Sequence, residues 1–367
     1  MRLAGSLIAA ALRALPLWAV RETRRRLARL WRRPRAASPS AADLERARPI
    51  VEGSVHAYAN LVFRRDKALL FSRGGNAFLM YGNRGRSSIA MGDPLGPPDE
   101  ARELVRQFRD QCVRLHRWSV FFEVRPEHLD WYFELGLTLT ELGEEARVDL
   151  AGFDLDRPEH RRLRQARAKL ARAGYRVEIL PREAVPAALP ALVRVSHSWL
   201  ARKATREKDF SNASFDEQYL TCFPLAVVRR DDEIVAFANL WLGANHEELS
   251  VDLMRYLAEA PNGTMDLLFS ELLLWGRQQG YRWFNFGMAP LSGLSTRDGA
   301  PLWNHVGTFV YRHGEHFYNF RGLRSYKEKF HPVWNPLYLA SPGGIALPAA
   351  LIDVTALIAG GYTGIVL

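Results

Sequence analysis

The sequence predicts an α/β (α+β) fold of two similar units, each with a mixed, largely antiparallel sheet. Short apolar segments bounded by turn residues alternate with segments of helical periodicity. One full set of these elements is expected in residues 153–345, and a shorter version of the same order in residues 48–152. The 367 residues suffice for two domains. A composition of 48% hydrophobic and 25% charged residues excludes a disordered chain, a collagen-like chain and a polytopic membrane protein.

The first unit, residues 48–152, begins with a meander of short strands. From Ala68 the segments ALLFS, AFLMYG and RSSIAMGD are separated by the turns GGN and NRG. Between them and the next helix lies GDPLGPP (92–98), which is expected to be a structural turn. Apolar residues at helical spacing then predict a helix at about 99–116. The remaining elements are a strand at 118–124, a short helix after Pro126 and a strand near 137–149.

The second unit, residues 153–345, opens with a basic helix that stops at Gly174. The order that follows is strand, helix, three antiparallel strands, helix, strand. These elements are expected at 175–180, 183–203, 224–230, 233–242, 247–254, 264–279 and 282–287. This order is the topology of a GNAT-type acyltransferase core. Two fused GNAT-like copies would leave a cleft between them, although a fold alone does not define a function.

The positive charge of the chain is concentrated at its start. Of the net charge of +10, residues 1–36 supply ten arginines against one glutamate. Leu3–Val20 is largely apolar, so we expect a membrane-associating segment with Arg21–Arg35 against anionic headgroups. The body would then lie at the cytoplasmic face of the cell membrane, peripherally or on a single N-terminal anchor. A disordered or nucleic-acid-binding arm is the alternative. The other two segments are a linker, 37–47, and a C-terminal segment, 346–367.

The composition and loops predict no cofactor. GNAT enzymes that use acyl-CoA hold its pyrophosphate in a Q/R-x-x-G-x-G/A loop before a helix. The corresponding junction, Arg255–Gly263, has no such glycine pair, and Glu259 would repel phosphate. No CoA is therefore expected as a partner. Cys112 and Cys222 have no ligand spacing, and HGEH (313–316) differs from the helical H-E-x-x-H pattern, so no metal is expected either.

A family resemblance runs through three long strings: YANLVFRRDKALLFSRGGNAFLMYGNRGRSSIAMGDPLGP (58–97), ELSVDLMRYLAEAPNGTMDLLFSELLLWGRQQGYRWFNFGMAPLSGL (248–294) and RHGEHFYNFRGLRSYKEKFHPVWNPLYLA (312–340). They resemble the C-terminal synthase domain of MprF-type phosphatidylglycerol lysyltransferases. The resemblance covers about residues 45–360. It implies tandem GNAT-like domains that move an amino acid, lysine or alanine, from aminoacyl-tRNA to phosphatidylglycerol in an anionic membrane. Typical family members carry a large multi-helix membrane region ahead of this domain. Here only Leu3–Val20 stands in its place, so we do not expect this chain to flip lipids across the membrane.

The resemblance also implies the catalytic residues. It places Asp252 and Arg255, in SVDLMRY, at the catalytic centre, and its motif favours Lys327 in RSYKEKF. Asp252 could orient or deprotonate the lipid hydroxyl, while Arg255 and Lys327 could bind phosphate or stabilise the developing charge. Residues three apart on a regular strand face opposite sides, so Asp252 and Arg255 cooperate only if the strand bulges. The alternatives are an ion pair at a strand end and, for Lys327, an exposed basic turn.

Further candidates would bind substrates. Glu315 could recognise the aminoacyl ammonium, and Asn285 and Ser292 lie in a turn-rich segment after a buried strand. Arg324 and Lys329 flank Lys327 in the same basic motif. The basic helix could meet tRNA phosphates or the bilayer, or simply be a solvated face, through Arg161, Arg164, Lys169 and Arg172.

Three other functions remain open at this stage. A GNAT-like transferase could use another lipid, or a peptide as in Fem-type ligases. A non-catalytic lipid- or tRNA-binding module could have kept the fold, in which case replacing Asp252 or Lys327 would change no phenotype. A CoA acyltransferase would require tight CoA binding.

Overall fold

A computed structural model describes residues 36–203, 210, 215–290 and 320–359. The membrane-associating segment predicted at 1–36 lies almost wholly outside these residues, as do the candidates Ser292 and Glu315. Across the described ranges, no helix is both long and apolar enough to cross a bilayer.

The described strands form one eleven-stranded sheet. Along the chain they are β1 (Ala68–Phe71), β2 (Phe78–Arg84), β3 (Ser87–Met91), β4 (Trp118–Val124), β5 (Thr138–Asp149), β6 (Tyr175–Leu180), β7 (Leu225–Arg230), β8 (Glu233–Leu242), β9 (Glu248–Tyr256), β10 (Trp283–Pro290) and β11 (Val333–Ser341). Their order in the sheet is β1-β2-β3-β4-β11-β5-β10-β9-β8-β7-β6. Only β3–β4 and β9–β10 pair in parallel among these strands. The mixed, largely antiparallel α/β class is therefore confirmed.

Two strands are exchanged between the halves of the sheet. β5, from the first half of the chain, pairs with β10, and β11, from the end, pairs with both β4 and β5. The first half of the sheet, β1 to β4, is therefore extended by β11 from the end of the chain, and the second half, β6 to β10, is extended by β5. All eleven strands form one continuous sheet. The two parallel pairs occupy equivalent positions, one in each half.

The helices cover both faces of this sheet. They are α1 (Ala41–Glu52), α2 (Pro98–Arg114), α3 (Leu129–Phe133), α4 (Arg161–Arg172), α5 (Val185–Lys203), α6 (Glu217–Leu220), α7 (Thr264–Gln278), α8 (Phe320–Glu328) and α9 (Leu347–Ile358). A 3₁₀ helix, Ala57–Arg64, precedes β1. In the first half, α2 covers one face, while α1, α9 and the 3₁₀ helix cover the other. The helices of each half therefore enclose an apolar core on the sheet.

Helix α1 occupies part of the segment whose composition predicted a linker, 37–47. The cause is a capping box: the Asp43 amide donates to Ser40 Oγ (3.1 Å) and the Ser40 amide donates to Asp43 Oδ2 (2.9 Å). Leu44, Ala47 and Val51 then bury one face of the helix. Ser-Ala-Ala-Asp is as compatible with a capped helix as with a linker, and burial of the apolar face favours the helix here.

Candidate functional site

The parallel pair β9–β10 separates in mid-strand. The two strands are paired from Glu248 and Trp283 to Ser250 and Asn285, and beyond that point β10 pairs only with β5 while β9 follows β8. Adjacent parallel strands that part towards their carboxyl ends leave a crevice, the usual ligand site of α/β sheets. Asp252 and Arg255, which the family resemblance places at the catalytic centre, lie on β9 just beyond this point.

A β-bulge interrupts β9 at this crevice. Val251 lies opposite Leu240 and Met254 opposite Ala238, so that two residues of β9, Asp252 and Leu253, face the single residue Asn239. The Leu253 amide donates to Asn239 Oδ1 (2.7 Å), which holds the extra residue in place. The bulge that cooperation of Asp252 and Arg255 requires is therefore present.

The contacts of Asp252 and Arg255 show that both lie on one face of the sheet. Asp252 accepts a hydrogen bond from the Tyr219 hydroxyl (2.6 Å), to which Trp241 Nε1 donates in turn (3.0 Å). Arg255 lies near the Phe215 ring, which packs edge-on against Phe237. Trp241 and Phe237 are four residues apart on β8 and share a face, so Asp252 and Arg255 share that face too.

Asp252 is half-buried, and its carboxyl group faces charges from the first half. Burial raises its pKa, and the positive charges of Arg64 and Lys67 oppose this shift together with the Tyr219 hydrogen bond. Lys67 is 2% exposed, its Nζ lies 2.7 Å from Asp66 Oδ1, and burial lowers its pKa to about 8. Arg64, at the end of the 3₁₀ helix, and Lys67, just after it, therefore bring positive charge from the first half of the chain close to Asp252.

Arg255 is buried against aromatic rings. It is 2% exposed, its Nη1 donates to Ser196 Oγ (2.5 Å), and its guanidinium lies 5.0 Å from the Trp199 ring centroid. Such a guanidinium is strongly oriented, because its planar group is both stacked and hydrogen-bonded. Its positive charge is therefore held in one orientation beside α5.

Lys327 is buried on α8 rather than exposed on a basic turn. Its Nζ donates to the carbonyl oxygens of Gly287 (2.8 Å) and Met288 (2.9 Å), in the bulge of β10 against β5. Gly287 has φ +73°, which the bulge requires. Burial lowers the pKa of Lys327 to about 7, against the opposing effect of Glu145 and Glu123. Lys327 therefore supports the β10 wall of the crevice.

Asn285 belongs to a buried network where the two halves meet. Its Nδ2 donates to Glu145 Oε1 (2.8 Å) and Glu248 Oε2 (3.2 Å). The same carboxylates pair with Arg125 (3.4 Å to Glu145) and Arg147 (3.3 Å to Glu248). Asn285 is 5% exposed, so these contacts tie β5, β9 and β10 together and leave little of it for a substrate. The sequence does not predict this network, because its members lie on distant strands and no local pattern relates them.

The remaining described candidates make contacts of their own or are exposed. Arg324 pairs with Glu144 and its guanidinium stacks 4.1 Å from the Trp334 ring centroid, and Lys329 pairs with Asp266 (2.9 Å). On α4 the guanidinium of Arg164 donates to the main-chain oxygens of Leu155 and Arg157. The other three basic candidates of α4 are exposed: Arg161, Lys169 and Arg172.

Comparisons with known proteins agree with this architecture. Residues 48–341 match the family model described as phosphatidylglycerol lysyltransferase, C-terminal. A phosphatidylglycerol lysyltransferase of Bacillus subtilis is 34% identical over 319 residues, which are 86% of this chain and 37% of the relative. The chain spans about a third of the length of the curated relatives that it matches.

Two solved structures are similar over most of the chain. One is the C-terminal domain of a protein assigned as a lysylphosphatidylglycerol synthetase from Agrobacterium fabrum, 42% identical with a TM-score of 0.81. The other is L-PGS from Bacillus licheniformis, 34% identical with a TM-score of 0.75. Each of these two matches covers 88% of this chain and 98% of the solved chain.

Proposed function

The chain belongs to the phosphatidylglycerol lysyltransferase C-terminal family, and from this premise we propose that it moves an aminoacyl group from aminoacyl-tRNA to phosphatidylglycerol. The amino acid is lysine or alanine, and the reaction takes place at the cytoplasmic face of the membrane. The observation that carries the proposal is the bulge in β9, which puts Asp252 and Arg255 on one face beside the opening between β9 and β10.

The proposed reaction exchanges one ester for another. Asp252 accepts the proton of a glycerol hydroxyl, whose oxygen attacks the carbonyl carbon of the aminoacyl ester. Arg255 stabilises the negative charge of the tetrahedral intermediate. The carbon–oxygen bond to the terminal ribose then breaks, and the ribose oxygen takes up the proton. The raised pKa of Asp252 supports this role, because a base is most effective when its pKa approaches the working pH.

Other parts of the chain would hold the two substrates. Lys327 acts as a positioning residue, since it fixes the Gly287–Met288 bulge that forms the β10 wall. The exposed cations of α4 suit the phosphates of the tRNA acceptor stem. The Arg-rich segment 1–36 would keep the body close to anionic lipid.

Transfer of label from tRNA to lipid tests this function. The purified chain is incubated with phosphatidylglycerol vesicles and tRNA charged with radiolabelled lysine or alanine, and the lipid phase is extracted and chromatographed. Labelled lipid is expected with the wild type and not with Asp252→Asn. The matched control Asp110→Asn makes the same chemical change at an exposed position of α2 and should keep full activity. Label that survives in Asp252→Asn, or no label from a folded wild type, would overturn the proposal.

A further inference from the structure

A second crevice lies at the parallel pair of the first half. A cavity of about 700 Å³ opens at the carboxyl ends of β3 and β4, the position that the β9–β10 crevice occupies in the other half. One wall is the turn 92–98, which follows β3, and another is His128 with Trp131, which follow β4. Helix α1 and the segment before the 3₁₀ helix close the remaining sides. The turn GDPLGPP therefore lines a cavity, beyond the structural role that the sequence predicted for it.

The floor of this cavity is polar, and its carboxylate is already engaged. Asp93 is 5% exposed; its Oδ1 accepts from the Tyr132 hydroxyl (2.6 Å) and its Oδ2 from the Arg125 amide (3.1 Å). The Tyr58 hydroxyl donates to the Asp93 main-chain oxygen (2.8 Å). Burial lowers the pKa of His56 to about 3, so its neutral ring offers one donor and one acceptor. Such a floor suits hydroxyl groups.

The mouth of the cavity combines a cation with apolar groups. Arg46 lies on α1 with its guanidinium 4.1 Å from the Phe71 ring centroid. A Cβ on Gly75 would lie only 3.0 Å from Arg46 Nη2, so the glycine makes room for the guanidinium at this wall. Ile50 and several prolines surround it. The floor can therefore bind hydroxyl groups, Arg46 supplies a positive charge near the mouth, and the mouth itself also carries apolar side chains.

We propose that this cavity is a membrane-docking site that binds the phosphoglycerol headgroup of an anionic lipid. The phosphate pairs with Arg46, the glycerol hydroxyls reach the floor beside His56, and the acyl chains leave across the apolar mouth into the bilayer. The sequence favours a lipid surface at this mouth, because α1 directly follows the Arg-rich segment expected on anionic headgroups. The choice of a glycerol lipid rests on the proposed function.

Binding of a monomeric lipid tests the proposal directly. Calorimetry measures the affinity of the full chain for dihexanoyl phosphatidylglycerol, dihexanoyl phosphatidylcholine and glycerol 3-phosphate. Phosphatidylglycerol should bind at least about tenfold more tightly than either other ligand. Equal affinity for glycerol 3-phosphate would overturn the lipid assignment in favour of a soluble phosphate, and equal affinity for phosphatidylcholine would overturn the recognition of glycerol.

Two arginines of α1 provide a matched pair of variants. Arg46→Glu should weaken binding of phosphatidylglycerol about tenfold or more, because a charge-assisted contact becomes repulsive. Arg48 lies on the same helix, paired with Glu45 (3.3 Å) and near the Phe63 ring, so Arg48→Glu should stay within about twofold of the wild type. Ile50→Trp, which narrows the mouth without changing charge, should also weaken binding. Equal effects of the two charge reversals, or unchanged binding in Ile50→Trp, would refute the site.

The label-transfer assay separates this proposal from the proposed function. If Arg46→Glu raises KM for vesicle phosphatidylglycerol and leaves kcat unchanged, the cavity docks the enzyme on its lipid. If Arg46→Glu has the KM of the wild type, the cavity proposal fails and the transferase stands. Lipid binding that depends on Arg46, without any transfer by the wild type, would refute the transferase and leave the cavity assignment standing. Far-UV circular dichroism and unfolding midpoints check that each variant is folded.

Discussion

Replacing Lys327 by methionine should destabilise the chain at high pH, and the loss should shrink as the pH falls towards 7. The substitution leaves the carbonyl oxygens of Gly287 and Met288 without their donor, which costs about 1–3 kcal/mol for each group. The neutral amine of the wild type still carries two N–H groups, enough for both carbonyls. Above pH 10.5, where Lys327 is neutral in both the folded and the unfolded chain, the expected loss of unfolding free energy is therefore about 2–6 kcal/mol. At pH 9 the unfolded amine is still protonated, which offsets about 2 kcal/mol of this loss and leaves about 0–4 kcal/mol.

The pH dependence follows from the lowered pKa of Lys327. Burial lowers it from 10.5 to about 7, so between these two values the unfolded chain holds a proton that the folded chain has released. Stability of the wild type then rises with pH by up to about 1.4 kcal/mol per pH unit, and the full cost of the buried charge is present below pH 7. The Lys327→Met variant lacks this contribution. Its disadvantage should be about 2–3 kcal/mol larger at pH 9 than at pH 7.

Urea unfolding of the wild type and Lys327→Met at pH 7, 8 and 9 measures this difference. Glu123 faces the same amine and burial raises its pKa to about 7, so the series is repeated in a Glu123→Gln background. Lys329 is two residues away and forms a half-exposed pair with Asp266, and Lys329→Met should cost about 0–1 kcal/mol at every pH. A Lys327→Met cost that is the same at pH 7 and pH 9, or that changes with pH no more than the cost of Lys329→Met, would contradict this linkage.

Two further predictions concern the base and the tRNA. Tyr219→Phe removes the hydrogen bond that lowers the pKa of Asp252, so the acid limb of the kcat/KM profile should move to higher pH; an unmoved limb contradicts the proposed base. Serine at the three exposed cations of α4 (Arg161, Lys169, Arg172) should make the salt dependence of tRNA binding shallower by about 2–3 in log–log slope. A control variant with serine at three arginines of α2 (Arg102, Arg106, Arg109) should leave the slope unchanged. If the α2 and α4 variants have the same slope, α4 is excluded as the tRNA contact.

Local sequence patterns predict most elements, because their signals lie within each segment. The strands at 118–124, 175–180 and 233–242 begin and end as expected, since apolar runs there are bounded by turn residues. The exchange of β5 and β11 was not predicted, because pairing between distant strands leaves no mark in either segment alone. Helix α1 was missed for a different reason, since a short capping box resembles a polar linker.

The residues of the candidate site come from the family resemblance, while their geometry depends on contacts between distant strands. The family resemblance implies Asp252 and Arg255 in SVDLMRY, but a regular strand would have put them on opposite faces. The bulge depends on Asn239, a buried amide on the neighbouring strand that accepts from the Leu253 amide. The family motif favours Lys327 over Lys329, and in the structure Lys327 is buried whereas Lys329 is exposed in an ion pair with Asp266.

A single-turnover experiment isolates the role of Asp252 as the base of an aminoacyl transfer to lipid. Excess chain is mixed with phosphatidylglycerol vesicles and limiting radiolabelled aminoacyl-tRNA, and the appearance of aminoacyl lipid is followed in time. For Asp252→Asn we expect a rate constant lower by about 10²–10⁴ with tRNA and lipid affinities unchanged. A rate within about threefold of the wild type would contradict it.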